Sequence, residues 1–209
     1  MNINEIFYSI QGEGKWTGRP NIFIRTTGCN LRCSFCDTRY AYDEGTEISI
    51  EDIVKSVNKY NCTRVCITGG EPLLQEDIGK LIDFLLGKGY KICLETNGSI
   101  NVTPFSSKKS LMISLDIKCP SSNMHKKMNF NNIPLLDEED QLKFVIKDNN
   151  DYNYAKDIVK KYLPKCSIFF QPAWGTVSTN LAEWILNDRL NVKLGLQIHK
   201  ILWGDKRGQ

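Results

Sequence analysis

Ile22-Phe23-Ile24-Arg25-Thr26-Thr27-Gly28-Cys29-Asn30-Leu31-Arg32-Cys33-Ser34-Phe35-Cys36-Asp37-Thr38 runs from an apolar strand pattern directly into three cysteines. Their spacing is Cys-x3-Cys-x2-Cys, and three thiolates this close together can grip one face of a metal cluster. Iron–sulfur clusters usually take four thiolates, so three protein ligands leave one iron open. An open position is what a catalytic metal site needs. The alternative is a zinc site with a distant Cys or His as fourth ligand. Zinc sites more often pair one Cys-x2-Cys with a second. No second pair occurs here, and the only histidines, His125 and His199, stand apart.

On either side of this stretch, short apolar runs alternate with helical patterns. The runs predict strands over 22–26, 64–68, 91–95, 111–117, 142–146, 167–171 and 192–198. Most are rich in Val, Ile, Leu and Phe with little alternation, as strands covered on both faces should be. Helices are predicted over 50–60, where Ile53, Val54, Val57 and Tyr60 make one stripe and Ser49 with Asp52 resembles a capping pair. They are also predicted over 75–87, over 151–163 before Pro164, and over 179–187. Residues 96–110 and 118–141 are polar and carry no helical pattern. Alternating strand and helix implies a mostly parallel α/β sheet with right-handed crossovers. A closed eight-fold barrel needs about 250 residues, so 209 residues imply an incomplete (β/α) barrel with shortened crossovers. It should be a single domain over 1–209, with its site at the C-terminal strand ends.

The net charge of +3 is too small to argue for nucleic acid. The N-terminus lacks a secretory pattern and no run approaches a membrane span, so a cytosolic protein with no membrane partner is expected. In that setting eight cysteines read as thiols or ligands rather than disulfides. Cys66, Cys93 and Cys166 sit inside apolar runs and read as buried structural thiols; Cys62 and Cys119 stay open. Thr68-Gly69-Gly70-Glu71-Pro72 closes the strand at 64–68. Two glycines there let backbone approach a ligand closely, and Glu71 can accept from an ammonium.

The cysteine spacing, with an aromatic before the last cysteine and Gly-Gly-Glu-Pro downstream, resembles the radical S-adenosylmethionine superfamily. That resemblance implies a [4Fe-4S] cluster on Cys29, Cys33 and Cys36, whose open iron chelates S-adenosylmethionine. One electron then cleaves a carbon–sulfur bond, and a 5′-deoxyadenosyl radical abstracts hydrogen from substrate. Phe7-Tyr8-Ser9-Ile10-Gln11-Gly12-Glu13-Gly14, then Gly18, Phe23-Ile24-Arg25 and Cys36-Asp37-Thr38, narrow the likeness over essentially the whole chain. It is similar to the 7-carboxy-7-deazaguanine synthase family, without the extra residues some members insert among the cysteines. The family implies conversion of 6-carboxy-5,6,7,8-tetrahydropterin to 7-carboxy-7-deazaguanine with loss of ammonia. It also implies Mg²⁺, a homodimer, and an electron donor of flavodoxin or ferredoxin type.

Carried over residue by residue, Ile10, Gln11, Gly12 and Glu13 match the segment holding the pterin, and Thr68 and His199 match further substrate contacts. Arg25 matches the partner of the substrate carboxylate, a bidentate task suited to guanidinium. Thr38 matches the magnesium ligand, a hard oxygen. Phe35, Cys36, Asp37, Gly70, the stretch Asp116-Ile117-Lys118 and the stretch Gln171-Pro172-Ala173-Trp174 match backbone that contacts S-adenosylmethionine, and Glu71 belongs to the element that matches the binder of its methionine amino group. The terminal carboxylate, here on Gln209, reaches the substrate site. A glycyl-radical activase of the same superfamily is the alternative enzyme; nothing in the sequence suggests the protein-docking surface it would need.

Overall fold

The computed structural model describes residues 1–209. Seven parallel strands lie side by side: β2 (Pro20–Thr26), β4 (Arg64–Gly69), β5 (Lys91–Thr96), β6 (Leu111–Ile117), β7 (Gln141–Ile146), β8 (Ser167–Pro172) and β9 (Lys193–Leu194). Outside β2, strand β1 (Asn2–Ile10) runs antiparallel to it, and the two-residue β3 (Thr46–Glu47) pairs with β1. β3 and β9 are free edges, so the curved sheet is a barrel that does not close.

Side chains sort by the two-residue period of a strand. Ile22, Ile24, Val65, Ile67, Ile92 and Leu94 point to one face and are completely buried. They pack under α1 (Ile50–Val57) and α2 (Ile78–Gly87) in a core of 35 residues that also takes in α3 (Asn149–Tyr162) and α4 (Ser178–Asn187). Each such side chain is worth about 1.5–3 kcal/mol. On the concave face, Phe23, Cys66, Cys93 and Met112 form a small separate apolar layer, with Phe7 and Trp16 against it. One step further along the strands the same face turns polar, at Arg25, Thr68, Glu95 and Ser114.

The four helices stand close to where periodicity predicts them. The hydroxyl of Ser49 accepts from Asp52 N at 3.1 Å, as the capping pair requires, and Asp148 caps α3 in the same way. The two crossovers without a helical pattern indeed contain no α-helix; 118–141 has three short 3₁₀ turns and 96–110 has none. Fully buried Asn132 holds them together, donating to Gly98 O at 3.3 Å and Ile100 O at 2.7 Å and accepting from Val102 N.

Two expectations fail. β1 is unannounced because its residues are half-exposed on an outer strand and mix Asn, Glu and Ser with the apolar set. The strand over 192–198 shrinks to Lys193–Leu194, and Ile198–Trp203 is helix α5. Gly195 ends the pairing with a last bond from its N to Phe170 O, and the exposed edge gives Leu194 and Leu196 little to pack on. No helix is long and apolar enough to cross a membrane.

Candidate active site

A cavity of about 460 Å³ opens at the C-terminal ends of β2 and β4–β8. One wall is the loop after β2. Gly28 turns the chain with φ +97° and is pinned on both sides: its N donates to Ala41 O, and its O accepts from Glu71 N at 2.7 Å. A Cβ on Gly70 would stand 2.1 Å from that same oxygen, so only glycine lets the two loops touch. Buried Leu31 anchors the loop in the core, and Ser34 ties it to Ser121 and Ser122. Cys29, Cys33 and Cys36 are thereby held as free, half-buried thiols facing the cavity. Burial pushes the Cys29 and Cys33 thiols up; the Lys118 ammonium acts against this at both.

Glu71 is not where the sequence puts it. Its carboxylate is fully buried behind the loop and is filled by donors of this chain: Leu73 N at 3.0 Å, Thr96 Oγ1 at 2.8 Å and Asn97 N at 2.7 Å. It has no room for a ligand ammonium; it organises β4 and β5 from beneath. The side chains of Asp116, Lys118, Gln171, Ala173 and Trp174 face the cavity; those of Ile117, in the core, and Pro172, the buried last residue of β8, do not line it.

The floor carries most of the charge. Arg25 Nε donates to Glu5 Oε1 at 2.7 Å, and its guanidinium carbon lies 5.7 Å from the Phe7 ring and 5.8 Å from Tyr40. Glu95 accepts from Thr68 Oγ1 at 2.9 Å and from Gln11 Nε2 at 3.1 Å. Lys143 reaches Glu13 Oε2 at 2.5 Å and Asp116 Oδ2 at 3.5 Å, and Lys118 meets the same Asp116 oxygen at 3.0 Å. Burial acts to raise the Glu13 carboxyl, but the Lys143 ammonium, helped by His199 and Gln197, pulls it down to about 2. Lys143, buried yet held between carboxylates, stays charged.

The roof is the C-terminal segment. Ile198 N donates to Gly12 O, and Gln197 Nε2 donates to Glu13 Oε1 at 2.8 Å. A Cβ on Gly12 would fall 2.0 Å from His199 Nδ1. Lys200 bridges Asp37 and Asp205, and Arg207 reaches Glu44, so Gln209 lies over the cavity. Ile10, Phe35 and Thr38 line the wall below it; the Thr38 hydroxyl donates only to Asp37 Oδ1 and does not cap the following turn.

Three groups on the β6–β8 side lack partners although buried: Asp116 Oδ1 and both polar atoms of Gln171. Such atoms are costly unless something pairs with them. They suit a polar, zwitterionic ligand beside the thiols, and the thiols suit iron. The three motif sulfurs do not gather within single-ion reach, unlike Cys66, Cys93 and Glu95 elsewhere, which fits a cluster better than one zinc.

The sequence matches the model of the radical SAM superfamily over residues 23–144. It is 40% identical over 208 residues to a 7-carboxy-7-deazaguanine synthase of Thermoplasma acidophilum, covering all of both chains. It is 40% identical to that of Methanospirillum hungatei, covering 97% of this chain and 85% of the other. The chain belongs to the 7-carboxy-7-deazaguanine synthase family. In that family it is a radical SAM lyase, and the superfamily implies a [4Fe-4S] cluster and S-adenosylmethionine. The fold agrees: the crystal structure of QueE from Escherichia coli superposes with a TM-score of 0.79 at 24% identity, over 94% of this chain and 93% of that one. Streptococcus suis SuiB bound to S-adenosylmethionine gives 0.59 at 14% identity, over 80% of this chain and 48% of that one.

Within this family fold, Glu95, Asn97, Ser114 and Lys143 also line the cavity and went unread in the sequence. Glu95 and Lys143 had a signal. Each is a charge at an inward position of an otherwise apolar strand, in the same period-two set as Arg25 and Thr68.

Proposed function

We propose that the chain, as a single domain over 1–209, converts 6-carboxy-5,6,7,8-tetrahydropterin to 7-carboxy-7-deazaguanine, releasing ammonia. The observation that carries this reading is one cavity joining three free thiols to a pre-set guanidinium, Arg25, in a chain that matches named synthases from end to end. A protein-substrate activase would need an open docking surface, and the C-terminal segment covers this site instead.

A [4Fe-4S] cluster on Cys29, Cys33 and Cys36 with S-adenosylmethionine would supply one electron and a 5′-deoxyadenosyl radical that abstracts a hydrogen atom. The chain's own residues do the rest. Arg25, aimed by Glu5, takes the substrate carboxylate with its free guanidinium nitrogens. Gln11, Thr68 and Glu95 present a donor and acceptor row to the pterin ring, with Ile10, Gly12 and Glu13 along its edge. His199 and Gln209 close over it and exclude water. Phe35, Asp37 and Gly70, with Asp116, Lys118, Gln171, Ala173 and Trp174, hold the cofactor, so that Asp116 Oδ1 and Gln171 gain the partners they lack. Thr38 offers a hydroxyl oxygen to Mg²⁺, which would orient the substrate and balance developing negative charge. A homodimer and a flavodoxin or ferredoxin-like donor complete the reading.

The test is an anaerobic assay of the reconstituted chain with carboxytetrahydropterin, S-adenosylmethionine and Mg²⁺. One ammonia per 7-carboxy-7-deazaguanine, with S-adenosylmethionine undiminished, is expected. Consumption of S-adenosylmethionine without deazapurine would refute the substrate.

A further inference from the structure

The small layer under the cavity floor contains two thiols that the proposed reaction does not use. Cys66 and Cys93 stand directly opposite each other in the register of β4 and β5. Both point to the concave face, and they are 0% and 1% exposed. Glu95 follows Cys93 by two residues, so its side chain leaves the same face one layer nearer the cavity. The two sulfurs and a Glu95 oxygen all lie within 4.8 Å of one another. Gln11 Nε2 sits above them, 3.4 Å from Cys66 Sγ and 3.1 Å from Glu95 Oε1. One amino group thus donates to two of the three ligand atoms, so their lone pairs converge on a common point.

We infer that Cys66, Cys93 and Glu95 form a binding site for a soft divalent cation of the zinc or cadmium class, reached through the substrate cavity. Two thiolates and a carboxylate are a donor set such ions take readily. Sulfurs 2.3 Å from a tetrahedral zinc stand about 3.8 Å apart, so closing from at most 4.8 Å needs a shift of about 1 Å or less. Binding releases one proton from each thiol; two metal–sulfur bonds form, two protons leave through the cavity, and nothing changes oxidation state. The ligands then exceed the ion's charge by one, and Arg25 and Lys143 are within electrostatic reach of Glu95 to balance it. The ion would occupy the point now served by the Gln11 amide and would draw Glu95 downward. Since the proposed function assigns both residues to the pterin, ion and substrate exclude each other.

X-ray absorption at the zinc edge tests this on the cluster-loaded full chain given one zinc per chain. The expected first shell holds two sulfurs at about 2.3 Å. The Cys93→Ala variant should keep one sulfur and Cys66→Ala/Cys93→Ala none, with iron content unchanged in both as the control for folding. Carboxytetrahydropterin should weaken zinc binding to the wild type at least tenfold in a calorimetric titration. Only nitrogen and oxygen neighbours in the wild type, or two sulfurs persisting in the double variant, would overturn the site. Zinc affinity indifferent to the pterin would overturn the exclusion. None of these readings uses turnover, so a chain that binds zinc as described but makes no deazapurine would contradict the proposed function alone.

Discussion

Glu71, fully buried behind the cysteine loop, and Asp116, partly buried on the cavity wall, are two carboxylates that the chain treats differently. Three donors of the chain fill the oxygens of Glu71. Asp116 spends one oxygen on Lys118 and Lys143 and leaves the other without a partner, and the Gln171 side chain, lining the same cavity, has none at all. The first side is finished by the fold itself, and it supports the loop of thiols. The second is finished only when something polar enters. A completed network belongs to stability; an incomplete one at a cavity wall belongs to binding. What tells the two apart is the count of donors the chain itself supplies to each.

The contrast is sharpest in Glu71→Ala. Two buried donors and one part-buried donor lose their acceptor, at about 1–3 kcal/mol for each buried one, so a stability loss of about 4 kcal/mol is expected in urea unfolding. Iron content should fall as well, because Asn97, bonded to Glu71 through its N, also reaches Cys29. A near-wild-type midpoint in this variant would erase the distinction.

Glu13 also has its oxygens taken by donors of the chain, Lys143 and Gln197, one of them charged. Its folded value near 2, against an ordinary 4.5, means it stabilises the fold above pH 4.5 and loses that contribution as pH falls towards 2. The full contribution is about 3 kcal/mol, fading by about 1.4 kcal/mol per pH unit below 4.5. Glu13→Gln should lack it at pH 6, and the gap to wild type should close with acid. Urea titrations of the iron-free chain at pH 6, 4 and 3 measure this. A gap constant with pH would mean that Glu13 is not held charged by Lys143.

On the unfinished side the sign reverses. Gln171→Met removes two unpaired buried polar atoms at similar volume, so stability should hold or rise by up to about 1 kcal/mol. Affinity for S-adenosylmethionine should drop about tenfold, near 1.4 kcal/mol. Equilibrium dialysis beside thermal unfolding separates the two quantities, and a destabilised variant with unchanged affinity would put Gln171 in the finished class.

Thr38→Ala should be the mildest. Its hydroxyl bonds only Asp37 at 2.9 Å, so stability should move by less than about 0.5 kcal/mol and iron should stay. The dependence of turnover on added Mg²⁺ should weaken. Wild-type magnesium dependence in the intact variant would leave Thr38 as local scaffold.

The same contrast marks what the sequence could reveal. The apolar parallel strands and Ser49 with Asp52 are local patterns with local causes, and they stand as predicted; the cysteine spacing brings three free thiols to one cavity. Glu71 looked like a ligand contact because Gly-Gly-Glu-Pro is a loop motif. Its partners Thr96 and Asn97 lie on the next strand, invisible along the chain. Asn132, which replaces a helix in one crossover, works through residues about thirty positions away. A strand was expected over 192–198 from its apolar residues, but an edge with little to pack against ended it at Leu194, and α5 follows from Ile198.

The central claim is that the three thiols of the finished side hold a four-iron cluster with one open iron. Electron paramagnetic resonance of the reduced, anaerobically reconstituted chain, with iron counted on the same sample, tests it most directly. Four irons per chain and a cluster spectrum that changes on adding S-adenosylmethionine are predicted. Zinc in place of iron, or a four-iron spectrum indifferent to S-adenosylmethionine, would contradict it.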